Sequence, residues 1–173
     1  FKAVVSLPHD IFAFDNAGTV KLEMVAWTNT TTRATALAVQ NGVYVKNGAT
    51  TRRYLGTICT TVTVGQTEHS FAKRFVWNNY NQIPTRLYTA DATADWTYAT
   101  SAWRVVNNNP ANIIEFVSGL INPSIQVYAS IRVDNNNTAI LFAIGKNVTN
   151  AASGTSLVYG QDHGAASVSL MSN

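Results

Sequence analysis

Three histidines, one cysteine and nine side-chain carboxylates are all that this 173-residue chain offers for hydrolytic, redox or metal chemistry. His9, His69 and His163 lie far apart, and the nearest acids, Glu68 and Asp162, directly adjoin His69 and His163. Adjacent residues of a strand point to opposite faces, so neither pair is placed to share a metal ion. Asp162-His163-Gly164 reads as an ordinary glycine-bounded surface loop. Cys59 has no second thiol for a disulfide and no helix start to activate it; within Thr57-Ile58-Cys59-Thr60 it is expected to be a buried or semi-buried small hydrophobe on a strand. No G-x-S-x-G elbow marks a nucleophile and no glycine-rich loop marks a phosphate site. The scattered carboxylates nominate no glycosidase pair, and Asp134 to Thr138 supplies one carboxylate where a calcium loop needs several hard oxygens. These residue types predict no catalytic residue, no metal, no cofactor and no enzyme.

The remaining binding chemistry is aromatic. Rigid amphipathic rings give much contact area at low entropic cost. Trp77, Tyr80 and Trp103 are the candidates for a subunit interface or a glycan-stacking face, whereas Trp27 and Trp96 are expected in the core. The sequons at Asn29, Asn136 and Asn147 are chance products of an Asn- and Thr-rich sequence and matter only in a glycosylating compartment.

The elements that must position these side chains are strands. The apolar fraction of 46% excludes disorder, and only 12% of residues are charged, about half the ordinary share. Asn and Thr stand where Lys and Glu usually do, which favours strands and tight turns over helices. The net charge of +3 comes from 12 cations against 9 anions. Its only local groupings are Arg52-Arg53 and Lys73-Arg74, so nucleic acid is not an expected partner. No apolar run approaches the roughly 20 residues that a membrane-spanning helix needs, so no membrane insertion is expected.

Val4 to Phe14, interrupted by Pro8, and Thr19 to Trp27 flank the turn Asp15-Asn16-Ala17-Gly18. In the second of these, Val20, Leu22, Met24 and Ala26 alternate with Lys21 and Glu23, as in a half-buried strand. Asn41-Gly42 between apolar stretches is the strongest hairpin signal, and Asn47-Gly48 repeats its chemistry at the next turn. Arg53 to Val64 reads as a strand, with Gly56 marking a bulge or a close backbone approach. Thr67 to Tyr80 fits helix or strand and leans to strand. Arg86 to Thr89, Asp95 to Val106, Ile113 to Val117, Ser124 to Val133, Ala139 to Ile144, Ser156 to Tyr159 and Ala166 to Met171 complete the strand candidates. Asn107-Asn108-Asn109-Pro110 ends the second of these, and Asn135 to Asn137 separate the fourth and fifth at hairpin-like distance. About ten short strands with at most one short helix predict an all-β fold. The expected architecture is an antiparallel, jelly-roll-like β-sandwich, with residues 1–173 as one domain. The opening on Phe1 suggests part of a longer polypeptide.

The run Val43-Tyr44-Val45-Lys46-Asn47-Gly48-Ala49-Thr50-Thr51-Arg52-Arg53-Tyr54-Leu55-Gly56-Thr57-Ile58 resembles a segment recurring in surface proteins of tailed bacteriophages. The likeness continues through Gly65-Gln66-Thr67-Glu68 and Ala72-Lys73-Arg74-Phe75-Val76-Trp77-Asn78-Asn79-Tyr80-Asn81. Upstream, Pro8-His9-Asp10-Ile11-Phe12, Asp15-Asn16-Ala17-Gly18 and Ala26-Trp27-Thr28-Asn29 are similar too, and Glu115-Phe116-Val117 is a weaker echo. The resemblance implies a virion surface module, either the carboxyl-terminal part of a tail or head fibre or a capsid decoration protein. It further implies a homo-oligomer, with a trimer as the working guess, contacts with other virion proteins, and a host surface glycan as a candidate ligand. It supplies no catalytic residues. The functions expected are therefore structural assembly first, carbohydrate recognition second and polysaccharide degradation third.

Overall fold

The structure is a computed structural model that describes residues 3–94, 96–120, 125–133, 140–147, 150–151, 158–160 and 164–172. It is mostly β, with antiparallel pairing throughout except at one short parallel pair. Two compact units divide the chain: Phe1–Ala90 with Ile113–Ile121, and Asp91–Asn112 with Asn122–Asn173.

The first unit is built on a six-stranded sheet. Its strands are β1 (Pro8–Asn16), β2 (Thr19–Ala26), β3 (Leu37–Gln40), β4 (Val43–Lys46), β5 (Ala49–Cys59) and, after the two-residue β6 (Lys73–Arg74), β7 (Val76–Asn78). The order is β2-β1-β5-β4-β3, and β7 also pairs with β5. Tight turns set the registers. Ala17 and Gly18 both take positive φ (53° and 83°) between the paired Asn16 and Thr19, and Asn41 and Gly42 do the same (51° and 75°) between Gln40 and Val43. Such doubly left-handed turns match the twist of the strands they join. At the next turn only Gly48 uses positive φ (76°), so Asn47 does not repeat the role of Asn41.

Gly56 fulfils both expectations placed on it. The ladder shifts between Ile11 and Phe12, which face Gly56 and Tyr54 and leave Leu55 as the extra residue of a bulge. A β-carbon at Gly56 would also collide with the Trp77 carbonyl of β7 and stand 3.2 Å from the Asn78 Cα. The stretch from Thr67 to Tyr80 is not helix: it holds the short strands β6 and β7 and is otherwise irregular. The segment 113–121 returns to this unit, and its strand β8 (Glu115–Phe116) runs parallel to β6.

The second unit holds β9 (Ile125–Val133), β10 (Ile140–Phe142), β11 (Val158–Gly160) and β12 (Gly164–Ser172). Asn135 to Asn137 lie outside the described residues, and β9 and β10 do not form the hairpin expected around them. Instead β9 pairs with β12 over nine positions, from Ile125 opposite Ser172 to Val133 opposite Gly164, while β10 pairs with β11. A nine-residue strand finds a full ladder only against another of that length.

Two strand expectations fail. Arg86 to Thr89 and the described part of 95–106 are irregular. In the latter, side chains take over the hydrogen bonding: Tyr98 donates from its hydroxyl to the Val105 carbonyl (3.0 Å), and Arg104 Nη2 to that of Thr100 (3.0 Å). The aromatics that raise strand propensity here pair with each other and with cations, as Trp96 with Tyr98 and Tyr98 with Arg104. Among the described residues the helical content is two 3-10 turns, Val106–Asn108 and Pro110–Asn112, where at most one short helix was expected. Asn107 and Asn108 adopt positive φ, which asparagine tolerates better than most residues. The Asp91 carboxylate collects the amides of Asn107 (3.1 Å) and Asn112 (2.7 Å). Hydrogen bonds from Thr93, then from Asn112 and Asn107, hold that carboxyl well below the usual carboxylate range.

Candidate functional site

The two faces of the six-stranded sheet have opposite chemistry, and the assignment follows from register because directly opposed residues share a face. One face holds Asp10, Phe12 and Phe14 of β1, Lys21, Glu23 and Val25 of β2, and Thr57 of β5. Tyr54 and Thr57 are three apart and would ordinarily face opposite ways; the extra residue at Leu55 turns Tyr54 onto the Thr57 side. Its hydroxyl then meets Thr57 Oγ1 at 2.5 Å, and its ring packs on Phe12, with centroids 5.8 Å apart.

A directed hydrogen-bond chain results. Thr57 Oγ1 donates to Asp10 Oδ1 (2.7 Å), which spends its single proton, so Tyr54 is the donor to Thr57. Arg33 Nε donates to Asp10 Oδ2 at 2.8 Å, and its Nη2 donates to the Gly119 carbonyl. The Arg33 guanidinium also lies 4.5 Å from the centroid of the Trp27 ring. Asp10, Thr57 and Tyr54 are at most 2% exposed. Burial pushes the Tyr54 hydroxyl up to about 12; Thr57 opposes that shift, the Asp10 charge adds to it, and Arg33 also opposes it. A carboxylate, a guanidinium and two hydroxyls thus bond one another, with Asp10, Thr57 and Tyr54 withdrawn from solvent and the Arg33 side chain 15% exposed. The cluster is a clamp that ties β1, β5, the 28–36 loop and the 113–121 return together.

At the outer end of the same face, Glu23 accepts from Lys46 Nζ (2.6 Å) and Arg52 Nε (2.5 Å). Partial burial works against ionisation of Glu23, but hydrogen bonds and charge from Lys46 and Arg52 outweigh it and hold the carboxyl below its ordinary value.

The opposite face is mostly apolar and partly exposed. It carries His9, Ile11, Leu22, Met24, Ile58 and Val76, with Arg53 opposite Ala13 and Asp15 opposite Val20 as the charges at its margin. Val20 is 76% exposed and Leu22 50%. The alternation in β2 is therefore as read from sequence, but its direction is reversed: the valine and leucine face outward and Glu23 faces the clamp. A half-open recess of about 270 Å³ lies on this side between Ala3, Met24, Ile58 and Val64. His9 sits beneath the 4–7 segment at 1% exposure; its Nδ1 donates to the Leu7 carbonyl (2.9 Å) and its Nε2 accepts from the Val4 amide (3.1 Å). This histidine is a neutral pin for that segment.

The nominated aromatics are divided between the two units. Trp77 is half-buried and stacks on Tyr54 at 6.3 Å, beneath Gly119. Tyr80 is 50% exposed and receives Arg53, whose Nε donates to its hydroxyl (2.7 Å). Trp103, 37% exposed, belongs to the other unit. Trp27 and Trp96 are half-buried, and the Trp27 indole N–H is buried without a partner. Cys59 is semi-buried at the end of β5, its thiol pushed up by burial and by Glu115. Glu68 pairs with Lys73 at 3.8 Å, and no cluster of three metal-ligating residues occurs among the described residues. His163, Asp162 and Asn136 lie outside those residues.

Sequence reasoning did not single out Asp10, Arg33 and Thr57 as a cluster. The available signal was an acid within the otherwise apolar Ile11-Phe12-Ala13-Phe14 strand, at the parity of Phe12 and Phe14.

No family model, no curated protein and no solved structure matches this chain.

Proposed function

We propose that the chain is a structural module of a bacteriophage virion surface, a fibre or capsid-decoration part, that works by subunit assembly. The observation that carries the assembly half is the inverted sheet of the first unit: Asp10 and Glu23 are turned to the clamp side, and Val20, Leu22 and Val76 are left exposed on the other. Contiguous exposed apolar surface rimmed by polar groups marks protein contacts. The virion half rests on the sequence resemblance, and a jelly-roll-like closure of the β layers belongs to the same reading.

Sedimentation velocity and light scattering on the purified chain test assembly. Concentration-dependent association is expected, and a clean monomer at high micromolar concentration overturns it. Antibodies against the chain should decorate the outside of intact particles of the encoding phage. A glycan-recognition role would now rest on Tyr80 and Trp103, the most exposed of the nominated rings. A glycan array comparing wild type with Trp103→Ala tests it, and no binding to host-derived polysaccharide rejects it.

A further inference from the structure

The outer edge of β2 is the place where the apolar face meets unpaired backbone, and its sequence is complementary to itself. β2 ends the sheet, pairing with β1 alone among the described strands. The Trp27 amide donates to the Pro8 carbonyl (2.8 Å), which fixes the phase of the ladder. Antiparallel bonding alternates along a strand. Residues 25, 23, 21 and 19 therefore bond inward to β1, and Val20, Leu22 and Met24 present their N–H and C=O groups outward. Thr19 to Leu22 are exposed, so these groups are accessible over that stretch.

We infer that two copies of this chain join edge to edge through β2, antiparallel about a two-fold axis at Leu22. In that register Leu22 bonds Leu22 of the second copy, and Val20 bonds its Met24, so all the outward groups named above are used. The intervening positions place Lys21 opposite Glu23 of the other copy, twice by symmetry. Cross-strand opposite charges stabilise such pairs and like charges oppose them. A lone lysine on an edge strand ordinarily repels a neighbouring strand. Here the symmetric register gives it an acid, and among the described residues no hydrogen bond or ion pair engages the Lys21 side chain. Lys46 and Arg52 occupy one lone pair on each Glu23 oxygen, and a carboxylate has about four such sites. The pairing also runs the Leu22, Met24 and Ile11 face of one copy into that of the next, which makes the contact isologous.

This proposal rests on the assembly reading and names its surface. In a Cys59→Ala background of the full chain, Leu22→Cys is oxidised and compared with Val20→Cys. Opposed bonded positions stand about 5.5 Å apart between Cα atoms, within disulfide reach, whereas Val20 lies well beyond reach of its own symmetry mate. Rapid covalent dimer from Leu22→Cys and none from Val20→Cys is the expected result. Lys21→Glu, at an exposed residue, should weaken dimerisation about tenfold, because symmetry applies the like-charge contact twice. If the chain associates but Leu22→Cys cross-links no faster than Val20→Cys, or Lys21→Glu leaves affinity unchanged, the β2 contact is overturned and assembly occurs elsewhere. If the chain stays monomeric, both readings fall.

Discussion

At the scale of single residues the first unit depends on a charge that it buries. Asp10 and Arg33 are 3% and 15% exposed at their side chains. Removing one member of such a pair leaves the other desolvated and unpaired, which costs about 3–5 kcal/mol. Asp10→Ala should lose stability in that range in urea titration, while Asp10→Leu combined with Arg33→Met should lose clearly less. Tyr54 gives the pH dependence. Its folded-state pKa is raised from 10.0 to about 12, so the folded state keeps the proton longer than the unfolded state does. The Tyr54 contribution to stability is then constant below about pH 10 and falls as pH rises from 10 to 12, by about 2–3 kcal/mol across the window. Tyr54→Phe should be less stable at neutral pH, for want of the hydroxyl bonds, yet show a shallower alkaline slope in the same titration. These roles were hard to read from sequence because the partners are distant: Arg33 reaches Gly119 across 86 positions. Only the parity of Asp10 with Phe12 and Phe14 was visible locally.

At the scale of elements, local chemistry carried much further. Doubly left-handed turns stand at Ala17-Gly18 and Asn41-Gly42, and Gly56 lies at both a bulge and a close strand approach, as its place in a strand implied. Gly56→Ala should cost about 1–3 kcal/mol, because the new methyl must displace the backbone of β7 rather than a movable side chain. Amide hydrogen exchange should place the loss first at Asn79 and Cys59, whose N–H groups donate to the Leu55 and Phe75 carbonyls beside that contact. What failed at this scale was direction and context. Period-two alternation in β2 defines two faces but says nothing about which one turns inward, and the ion pairs of Glu23 with Lys46 and Arg52 decided it. The aromatic stretch from Trp96 to Trp103 has strand propensity but pairs with no strand among the described residues, and side-chain bonds to its own carbonyls take the place of a ladder.

For the whole molecule, chain order and spatial order diverge: the first unit is interrupted by residues 91–112 and completed by 113–121. That nine-residue return carries the Gly119 carbonyl that accepts from Arg33, and Glu115, which pairs with Lys73 at 2.9 Å. It also brings the buried Val117. A fragment ending at residue 90 leaves the Arg33 Nη2 group without its acceptor and the Trp77 ring without the backbone over it. A fragment ending at residue 121 keeps both. Hydrogen bonds from a charged donor contribute about 1.5–3 kcal/mol, and burial of a valine about as much again. Fragment 1–121 should therefore unfold cooperatively in urea and keep the near-ultraviolet dichroism of the stacked Tyr54 and Trp77. Fragment 1–90 should be less stable by at least about 3 kcal/mol and lose that signal. Equal stability of the two would mean that the clamp closes without its return segment, and that Arg33 is held by Asp10 alone.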